Sequence, residues 1–169
     1  MFTGGGAARP QRKIHRDLRG RRLVLVDIEN VVRGPVMDVT HAAAGFAALE
    51  EVVPPRAGDH VIVASNPGSI IWAGLARPSA ARRMGHGPDG ADLALLEVLT
   101  DERVAERFDE VVVVSGDHIF TDVVAELGGL GVAVTVVAHV NGCSRTLRMA
   151  AGQTVYFNDV SNVIPLEAA

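Results

Sequence analysis

The chain has 169 residues, 48% hydrophobic and 21% charged, so it is most simply one globular domain with a full core. Its single cysteine, Cys143, excludes an intramolecular disulfide and a multi-cysteine zinc site, and suits a reducing compartment. Aromatic residues make up only 4%, which argues against a base-stacking platform for single-stranded nucleic acid. No apolar run reaches membrane-spanning length, and no signal-type segment follows the basic N-terminus. We therefore expect a cytoplasmic protein with no membrane partner.

The net charge of −4 conceals a basic N-terminus on an acidic body. Residues 1–22 hold seven of the 16 basic residues and one acid, Asp17, whereas the remainder holds nine basic and 19 acidic residues. The glycines at 4–6 and the lack of apolar periodicity predict a flexible basic tail over 1–21, then a folded domain over 22–162 and a tail over 163–169. Such a basic tail suits recruitment of a polyanion. The alternative is a solvated tail without a partner.

From residue 22 onward, short valine-rich runs alternate with helical patterns. The helices are predicted from apolar residues spaced by three, four or seven positions, and they end at Pro54-Pro55, before Pro78 or at Gly128-Gly129. Repeated strand–helix order predicts the α/β class: one domain, built as a three-layer sandwich with a central parallel sheet flanked by helices. The predicted strands are 23–27, 60–64, 110–115, 132–138 and 154–157, and the longest predicted helix is 92–108.

Three aspartates stand where apolar elements meet polar chain. Asp27 and Asp117 follow two predicted strands, and sites in open α/β sheets form at the carboxyl ends of strands. Asp92 continues the apolar stripe of Leu96 and Leu99 at the start of its helix, so it should lean over the same sheet edge. Several carboxylates brought together repel one another unless a cation neutralises them. The pattern predicts an oxygen-rich site for Mg²⁺ or Mn²⁺.

Each acid also has a purely structural interpretation. Asp27 would simply end a strand and begin a turn, and Asp117 would cap the helix that follows it. Asp92 would complement the dipole of its helix as a first-turn acid. Asp89, just before Gly90, is better explained as a helix cap than as a ligand. The coincidence of three acids at corresponding ends favours the metal site over these separate explanations.

The ordered motifs resemble the NYN family, a branch of the PIN-like metal-dependent ribonucleases. The resemblance is carried by the Val26-Asp27-Ile28-Glu29-Asn30, Gly90-Ala91-Asp92-Leu93-Ala94-Leu95 and Ser115-Gly116-Asp117-His118-Ile119-Phe120 runs, and it covers roughly residues 22–160. It implies a PIN-like sheet and hydrolysis of RNA phosphodiesters to a 5′-phosphate and a 3′-hydroxyl. It also implies Asp27, Asp92 and Asp117 as metal ligands and Asn30 as their polar companion.

Two departures from the family pattern accompany this resemblance. The family often carries a further acid two residues after the aspartate of the Ser-Gly-Asp motif, where this chain has Ile119. The family's usual lysine before the middle motif is absent, and Asp89 stands nearby instead. Fewer acids and one lost cation are compatible with one tightly held metal, an altered substrate or a lapsed activity.

Four further residues are predicted to contact the RNA substrate. Ser115 ends a predicted strand and, together with Asn30, could orient water or a phosphate oxygen. Asn66 follows a predicted strand at the same sheet edge, where it could contact the substrate. The Asn66-Pro67-Gly68 sequence is equally typical of a turn with a structural role only. Arg82 and Arg83 are the best phosphate contacts in the folded part, although paired arginines are often plain surface.

Two other functions compete with the nuclease. The first is a catalytically impaired module of the same fold that binds RNA or a protein partner, with catalysis weakened by Ile119. The second is a phosphatase with Asp27 as nucleophile. It ranks low because Glu29 replaces the usual second aspartate and the body lacks lysine. A homo-oligomer is compatible with the sequence, but nothing in it indicates one.

Overall fold

The computed structural model of the protein describes residues 20–158, which form a six-stranded, all-parallel sheet between two layers of helices. The predicted fold class is confirmed, and the architecture is consistent with a PIN-like three-layer sandwich. The strands lie in the order β3-β2-β1-β4-β5-β6 across the sheet. Their bounds are Arg22–Asp27 for β1, His60–Ser65 for β2, Ala81–Met84 for β3, Glu110–Val114 for β4, Ala133–Ala138 for β5 and Gln153–Tyr156 for β6.

Seven α-helices connect the strands within residues 20–158. They are α1 Ile28–Val32, α2 Val39–Val52, α3 Pro67–Ala76, α4 Gly90–Asp101, α5 Val104–Arg107, α6 Thr121–Gly129 and α7 Arg145–Ala150. No helix among these residues is both long enough and apolar enough to cross a membrane.

Strand β1 lies in the middle of the sheet, so every one of its residues is buried and successive side chains enter opposite faces. Leu23 and Leu25 pack into the core beneath α4 and α6, which also holds Leu95 and Phe120. Val24 and Val26 enter the core on the other face, which α2 and α3 cover. A strand buried on both faces needs a continuous apolar run, and that run predicted β1 from the sequence.

The chain runs outward from β1 in both directions, so the connections change side between β1 and β4. The register pairs Val26 with Val63 on one side and with Val114 on the other. The loops after β1 and β4 therefore open onto a shared crevice at the carboxyl edge, the usual place for a site in such sheets. Asp27 is the last residue of β1, and Asp117 lies on the loop after β4.

The five predicted strands are present, each within one residue of its predicted ends. β3 was not predicted, because Ala81-Arg82-Arg83-Met84 lacks β-branched residues and β3 is an edge strand held by pairing with β2 alone. Helix α1 was also missed, since five residues are too few to display a helical period.

The predicted helix 92–108 is wrong as a single element. It breaks after Asp101, and Arg103 adopts a left-handed backbone with φ of 50°. Leu99 and Val104 are five positions apart, a spacing that one straight helix cannot place on the same face. The break returns Val104 and Phe108 to the core. The predicted tail over 1–21 lies almost wholly outside the described residues, and so does the predicted tail over 163–169.

Candidate functional site at the carboxyl edge

Asp27 ends β1 and caps α1 with the same side chain. Its Oδ1 accepts hydrogen bonds from the backbone N–H groups of Glu29 and Asn30, at 3.0 and 3.2 Å. The residue is only 7% exposed. Burial, followed by the negative charge of Asp92, raises the pKa of Asp27 to about 7, although its two backbone hydrogen bonds oppose that shift. The sequence predicted only a strand end and a turn as the structural role of Asp27; the residue in fact caps α1, and this role coexists with an unusually basic carboxylate.

Asp92 lies in the first turn of α4 and leans toward the end of β4. The hydroxyl of Ser115, which is fully buried, donates a hydrogen bond to Asp92 Oδ1 at 3.0 Å. Burial raises the pKa of Asp92, and the charges of Asp117 and Asp89 add to the increase, while the Ser115 hydrogen bond opposes it. Asp92 is therefore the central acid, coupled electrostatically to Asp27 on one side and to Asp117 on the other.

Asp117 follows β4 and caps the short 3₁₀ helix His118–Phe120. Its Oδ1 accepts from the backbone N–H of Ile119 at 2.9 Å and lies 3.0 Å from the Nδ1 atom of His118. Its own N–H donates to the Ser115 hydroxyl at 3.2 Å. One buried hydroxyl therefore accepts from the Asp117 backbone and donates to the Asp92 side chain, which sets these two residues side by side.

Two pairs of glycines hold the acid-bearing loops in close contact. A Cβ atom on Gly116 would lie 1.8 Å from the carbonyl oxygen of Gly142. A Cβ on Gly85 would lie 1.8 Å from the carbonyl oxygen of Gly90, the first residue of α4. Only hydrogen fits at either contact, so these loops cannot carry a side chain there without moving Asp117 or Asp92.

A pocket of about 210 Å³ opens over these acids. We call it the aspartate pocket; Asp89, Asp92, Asp117, His118 and Ile119 line it. Asp89 occupies the N-cap position of α4 but makes no capping hydrogen bond through its side chain, so its carboxylate contributes to the pocket instead. Asp92 is close enough to Asp27 for its charge to raise the pKa of Asp27, but Asp27 is not part of the lining.

The donor set of the aspartate pocket suits a hard divalent cation, since it consists of carboxylate oxygens. Within residues 20–158, however, no three carboxylate, histidine or cysteine side chains are grouped in a way that could hold a metal ion. Mg²⁺ commonly binds through only one or two carboxylates and completes its shell with water and substrate phosphate. Asp92 and Asp117 fit that mode of binding.

Asn66 and Glu29 form a second polar cluster at the same edge. Asn66 caps α3, with its Oδ1 accepting from Gly68 and Ser69, and its side-chain amide donates to Glu29. Glu29 also accepts from the Asn66 backbone N–H at 3.1 Å and from the Ser69 hydroxyl at 2.7 Å. The structural alternative for Asn66 thus has direct contacts, while substrate binding by Asn66 stays a prediction. Sequence reasoning left the role of Glu29 open, because its partners lie 37 and 40 positions away.

Arg82 and Arg83 point to opposite sides of the edge strand β3. Arg83 pairs with Glu102 at 2.9 Å, just beyond the C-terminal end of α4, whereas Asp92 lies in the first turn of that helix. Arg82 packs on α3, where a Cβ added to Gly74 would lie 2.5 Å from its guanidinium nitrogen. Neither arginine lines the aspartate pocket. Their predicted role as phosphate contacts gains no support from these positions.

Comparison with known proteins bears on the fold. Neither protein-family models nor curated proteins give a match to the chain. A crystal structure of a protein of unknown function from Vibrio parahaemolyticus RIMD 2210633 superimposes with a TM-score of 0.59 at 20% identity, covering 85% of this chain and 96% of that one. At this identity the similarity shows a shared fold and nothing about activity.

Proposed function

We propose that the protein is a ribonuclease that hydrolyses RNA phosphodiester bonds with Mg²⁺ or Mn²⁺ held at the aspartate pocket. The observation that carries the proposal is the pair of carboxylates in one pocket: Asp92 and Asp117 lie side by side, joined through the buried Ser115 hydroxyl. The raised pKa of Asp92 and of Asp27 supports it. Carboxyl groups whose ionisation is disfavoured by burial and by one another destabilise the folded state when charged, and a bound cation reverses that penalty. The resemblance to the NYN family motifs supports the same assignment.

In this proposal Asp92 and Asp117 hold the cation, and Asp27 supplies further negative charge from outside the pocket lining. When bound, the cation would stabilise the charge that develops on the phosphate during hydrolysis. The Ser115 hydroxyl keeps Asp92 and Asp117 in register, as its two hydrogen bonds indicate. Asn30 stands in the first turn of α1, above Asp27, where its amide would orient water or a phosphate oxygen.

The test is cleavage of labelled RNA with Mn²⁺, with Mg²⁺ and with EDTA. We expect turnover with either cation, none in EDTA, and a loss of about 100-fold or more in Asp92→Asn and Asp117→Asn, by analogy with the loss of an electrostatic stabiliser. Asp122→Asn is the matched control, because Asp122 is an exposed acid of α6 and does not line the pocket. Equal activity of all three variants would show that the cleavage does not depend on the aspartate pocket.

The second candidate is a catalytically impaired module that binds RNA or a protein. It is favoured by Ile119, which lines the pocket where the family often has an acid, and by Asp27 lying outside the lining. In that case RNA would bind without turnover and equally well in EDTA.

We also propose a cytoplasmic location. It is supported by the lone thiol of Cys143, which is half-buried and whose pKa is raised by burial, so that it stays protonated and unreactive in a reducing compartment.

A further inference from the structure

A cavity of about 460 Å³ opens between the helices on one face of the sheet. We call it the α5 cavity, and its lining includes Leu99, Val104, Glu106, Glu126, Leu127 and Leu130. Its walls are the end of α4, helix α5 and the C-terminal half of α6. Helix α5 leads into β4 and helix α6 leads into β5, so the α5 cavity lies near the amino ends of these strands. The aspartate pocket lies at the opposite, carboxyl edge.

The floor of the α5 cavity is apolar. Leu99, Val104 and Leu127 belong to the hydrophobic core beneath it. Leu130, which directly follows α6, also lines the cavity and is nevertheless 64% exposed. Covering an exposed leucine that stands beside an apolar floor is favourable, because it removes apolar surface from water. The α5 cavity therefore suits a ligand that carries large apolar side chains.

The charged residues of the lining favour a basic ligand. They are two acids, Glu106 and Glu126, and one base, Arg103. Arg103 lies 2.8 Å from the Glu106 carboxylate, so its charge is already matched. Glu126 is exposed, and within residues 20–158 no basic side chain pairs with it. One carboxylate at the rim of the cavity is thus left for a cation from outside the described residues.

The described part of the chain begins beside this cavity. The carbonyl oxygen of Arg21 accepts a hydrogen bond from the N–H of Asp109 at 3.1 Å, just after α5. The Arg21 guanidinium lies 5.1 Å from the centre of the Phe108 ring, which also follows α5 directly. Because each residue can extend the chain by about 3.3–3.6 Å, the residues that precede Gly20 are within reach of the α5 cavity.

The residues that precede Gly20 have the composition that the α5 cavity requires. Residues 9–19 contain one acid, Asp17, and two large apolar residues, Ile14 and Leu18. They also contain five basic residues: Arg9, Arg12, Lys13, Arg16 and Arg19. Apolar and basic side chains in one short segment match an apolar floor with an unpaired acid at its rim.

We infer that the α5 cavity is the binding site of residues 9–19 of the same chain, with Ile14 and Leu18 against its floor and basic side chains beside Glu126 and Glu106. Exposed ion pairs contribute little by themselves, so the apolar contacts supply most of the affinity. Attachment through Gly20 gives the segment a high effective concentration at the cavity, which makes even a weak contact sufficient. The inference does not depend on the proposed function. It implies that a polyanion must compete with the chain's own acids for the basic N-terminus.

The experiment places a nitroxide near the segment in the full chain and records which methyl signals it broadens. The label is attached to Ala8→Cys in a Cys143→Ser background, which removes the only natural thiol. We expect the methyl signals of Leu130, Leu127 and Val104 to lose intensity. Those of Leu93 and Val140, which are exposed near the carboxyl edge, should keep it.

Two sets of variants separate a specific contact from a segment that merely passes nearby. Ile14→Ser with Leu18→Ser retains every charge and leaves the cavity unaltered, and it should restore the Leu130 signal. Glu126→Gln should restore it in part and should reduce its response to added salt, because salt screens exposed charges. Glu51→Gln is the matched control, since Glu51 is an exposed acid of α2 on the other face of the sheet.

Equal broadening with and without Ile14 and Leu18, or no broadening at Leu130, would overturn the inference. Equal effects of Glu126→Gln and Glu51→Gln would overturn the role of Glu126, because they would show that only the overall charge matters. A mixture of nitroxide-bearing chains with separate isotope-enriched chains tests the alternative occupant. Broadening of the Leu130 signal in that mixture as strong as within one chain would assign the α5 cavity to the N-terminus of a second copy and overturn the intramolecular contact.

Discussion

At the scale of single residues, Asp27 combines two roles that conflict. As a helix cap it accepts two backbone hydrogen bonds, which favour its charged form, yet its burial beside Asp92 favours the neutral form. The result is a carboxyl group with a pKa of about 7 in the folded chain, against an ordinary value of 3.8. Since the folded state keeps the proton that the unfolded state loses, ionisation of Asp27 destabilises the fold as pH rises from about 4 to about 7.

Asp27→Asn should therefore stabilise the protein at pH 8. Asparagine retains the oxygen that caps α1 but carries no charge, so the gain is a few kcal/mol and at most about 4 kcal/mol, the equivalent of the pKa difference. Below pH 4 the gain should vanish, because Asp27 is then protonated in both states. Urea denaturation at the two pH values measures it. A variant less stable than wild type at pH 8 would contradict the raised pKa.

Ser115 is the residue whose single hydroxyl joins two acids. Ser115→Ala should reduce the free energy of unfolding by about 1–3 kcal/mol, because it leaves buried hydrogen-bonding groups of Asp92 and Asp117 without a partner. It should also abolish cation-dependent cleavage. Ser65→Ala is the control: Ser65 is equally buried at the end of β2, but its hydroxyl donates to the Asn66 carbonyl. Ser65→Ala should lose a similar amount of stability and keep its activity. Equal activity of Ser115→Ala and Ser65→Ala would show that Ser115 has no role in the site.

At the scale of elements, the site depends on how closely the loops approach one another. The β4–α6 connection passes the loop after β5 with only hydrogen atoms between Gly116 and Gly142. A contact between two backbones therefore sets the position of Asp117, whereas a side-chain hydrogen bond from Ser115 orients Asp92. Other glycines have open space around them, so an alanine substitution there can be compared with one at Gly116.

Gly116→Ala should destabilise the protein by about 1–3 kcal/mol through overpacking and should weaken Mn²⁺ binding by displacing Asp117. Gly128→Ala is the control, since a Cβ atom at Gly128 in α6 would contact nothing within 4 Å. It should stabilise the helix by about 0.5–1 kcal/mol and leave Mn²⁺ affinity unchanged. Thermal denaturation and Mn²⁺ titration calorimetry distinguish the two. Unaltered stability of Gly116→Ala would show that the loops move apart freely.

At the scale of the whole molecule, the stability of the fold depends on pH through two kinds of acid, one whose pKa is lowered by folding and one whose pKa is raised. Asp59 lies against Arg22 at 2.7 Å, at the opposite end of β1 from Asp27. Burial acts to raise the pKa of Asp59, but its hydrogen bonds and the charge of Arg22 outweigh burial and hold that pKa below its ordinary 3.8. Asp59 therefore contributes stability above pH 3.8 that is lost as the pH falls further, whereas Asp27 and Asp92 lower stability as the pH rises.

The metal-free protein should consequently be most stable in mildly acidic solution, a little above pH 4, and less stable at pH 8. Addition of Mn²⁺ should restore stability at pH 8 and have little effect near pH 4, because protonated carboxyl groups do not bind the cation. Melting temperatures across this range, with and without Mn²⁺, measure both the loss of stability in acid and the loss at alkaline pH. The alkaline loss should shrink in Asp27→Asn. A Mn²⁺ effect that is equal at all pH values would contradict binding at these carboxylates.

The sequence by itself determined the parallel sheet and the edge at which the acids lie. Buried strands of this kind require continuous apolar runs, and the residue after each run must emerge at the carboxyl edge, so β1, β4, Asp27 and Asp117 could be located by inspection. The period of α4 was less exact: its buried face is Ala91, Leu95, Val98 and Leu99, and Asp92 and Leu96 lie half-buried at the margin of that face. These are local properties, set within a few residues by backbone geometry.

Only the tertiary structure decided how those residues interact. The hydrogen bond between Ser115 and Asp92 spans 23 positions, and the one between Asn66 and Glu29 spans 37. No periodicity encodes such pairs, because they depend on how loops from different strands pack. For the same reason the sequence did not show that Asp27 lies outside the lining of the pocket, or that Arg83 pairs with Glu102.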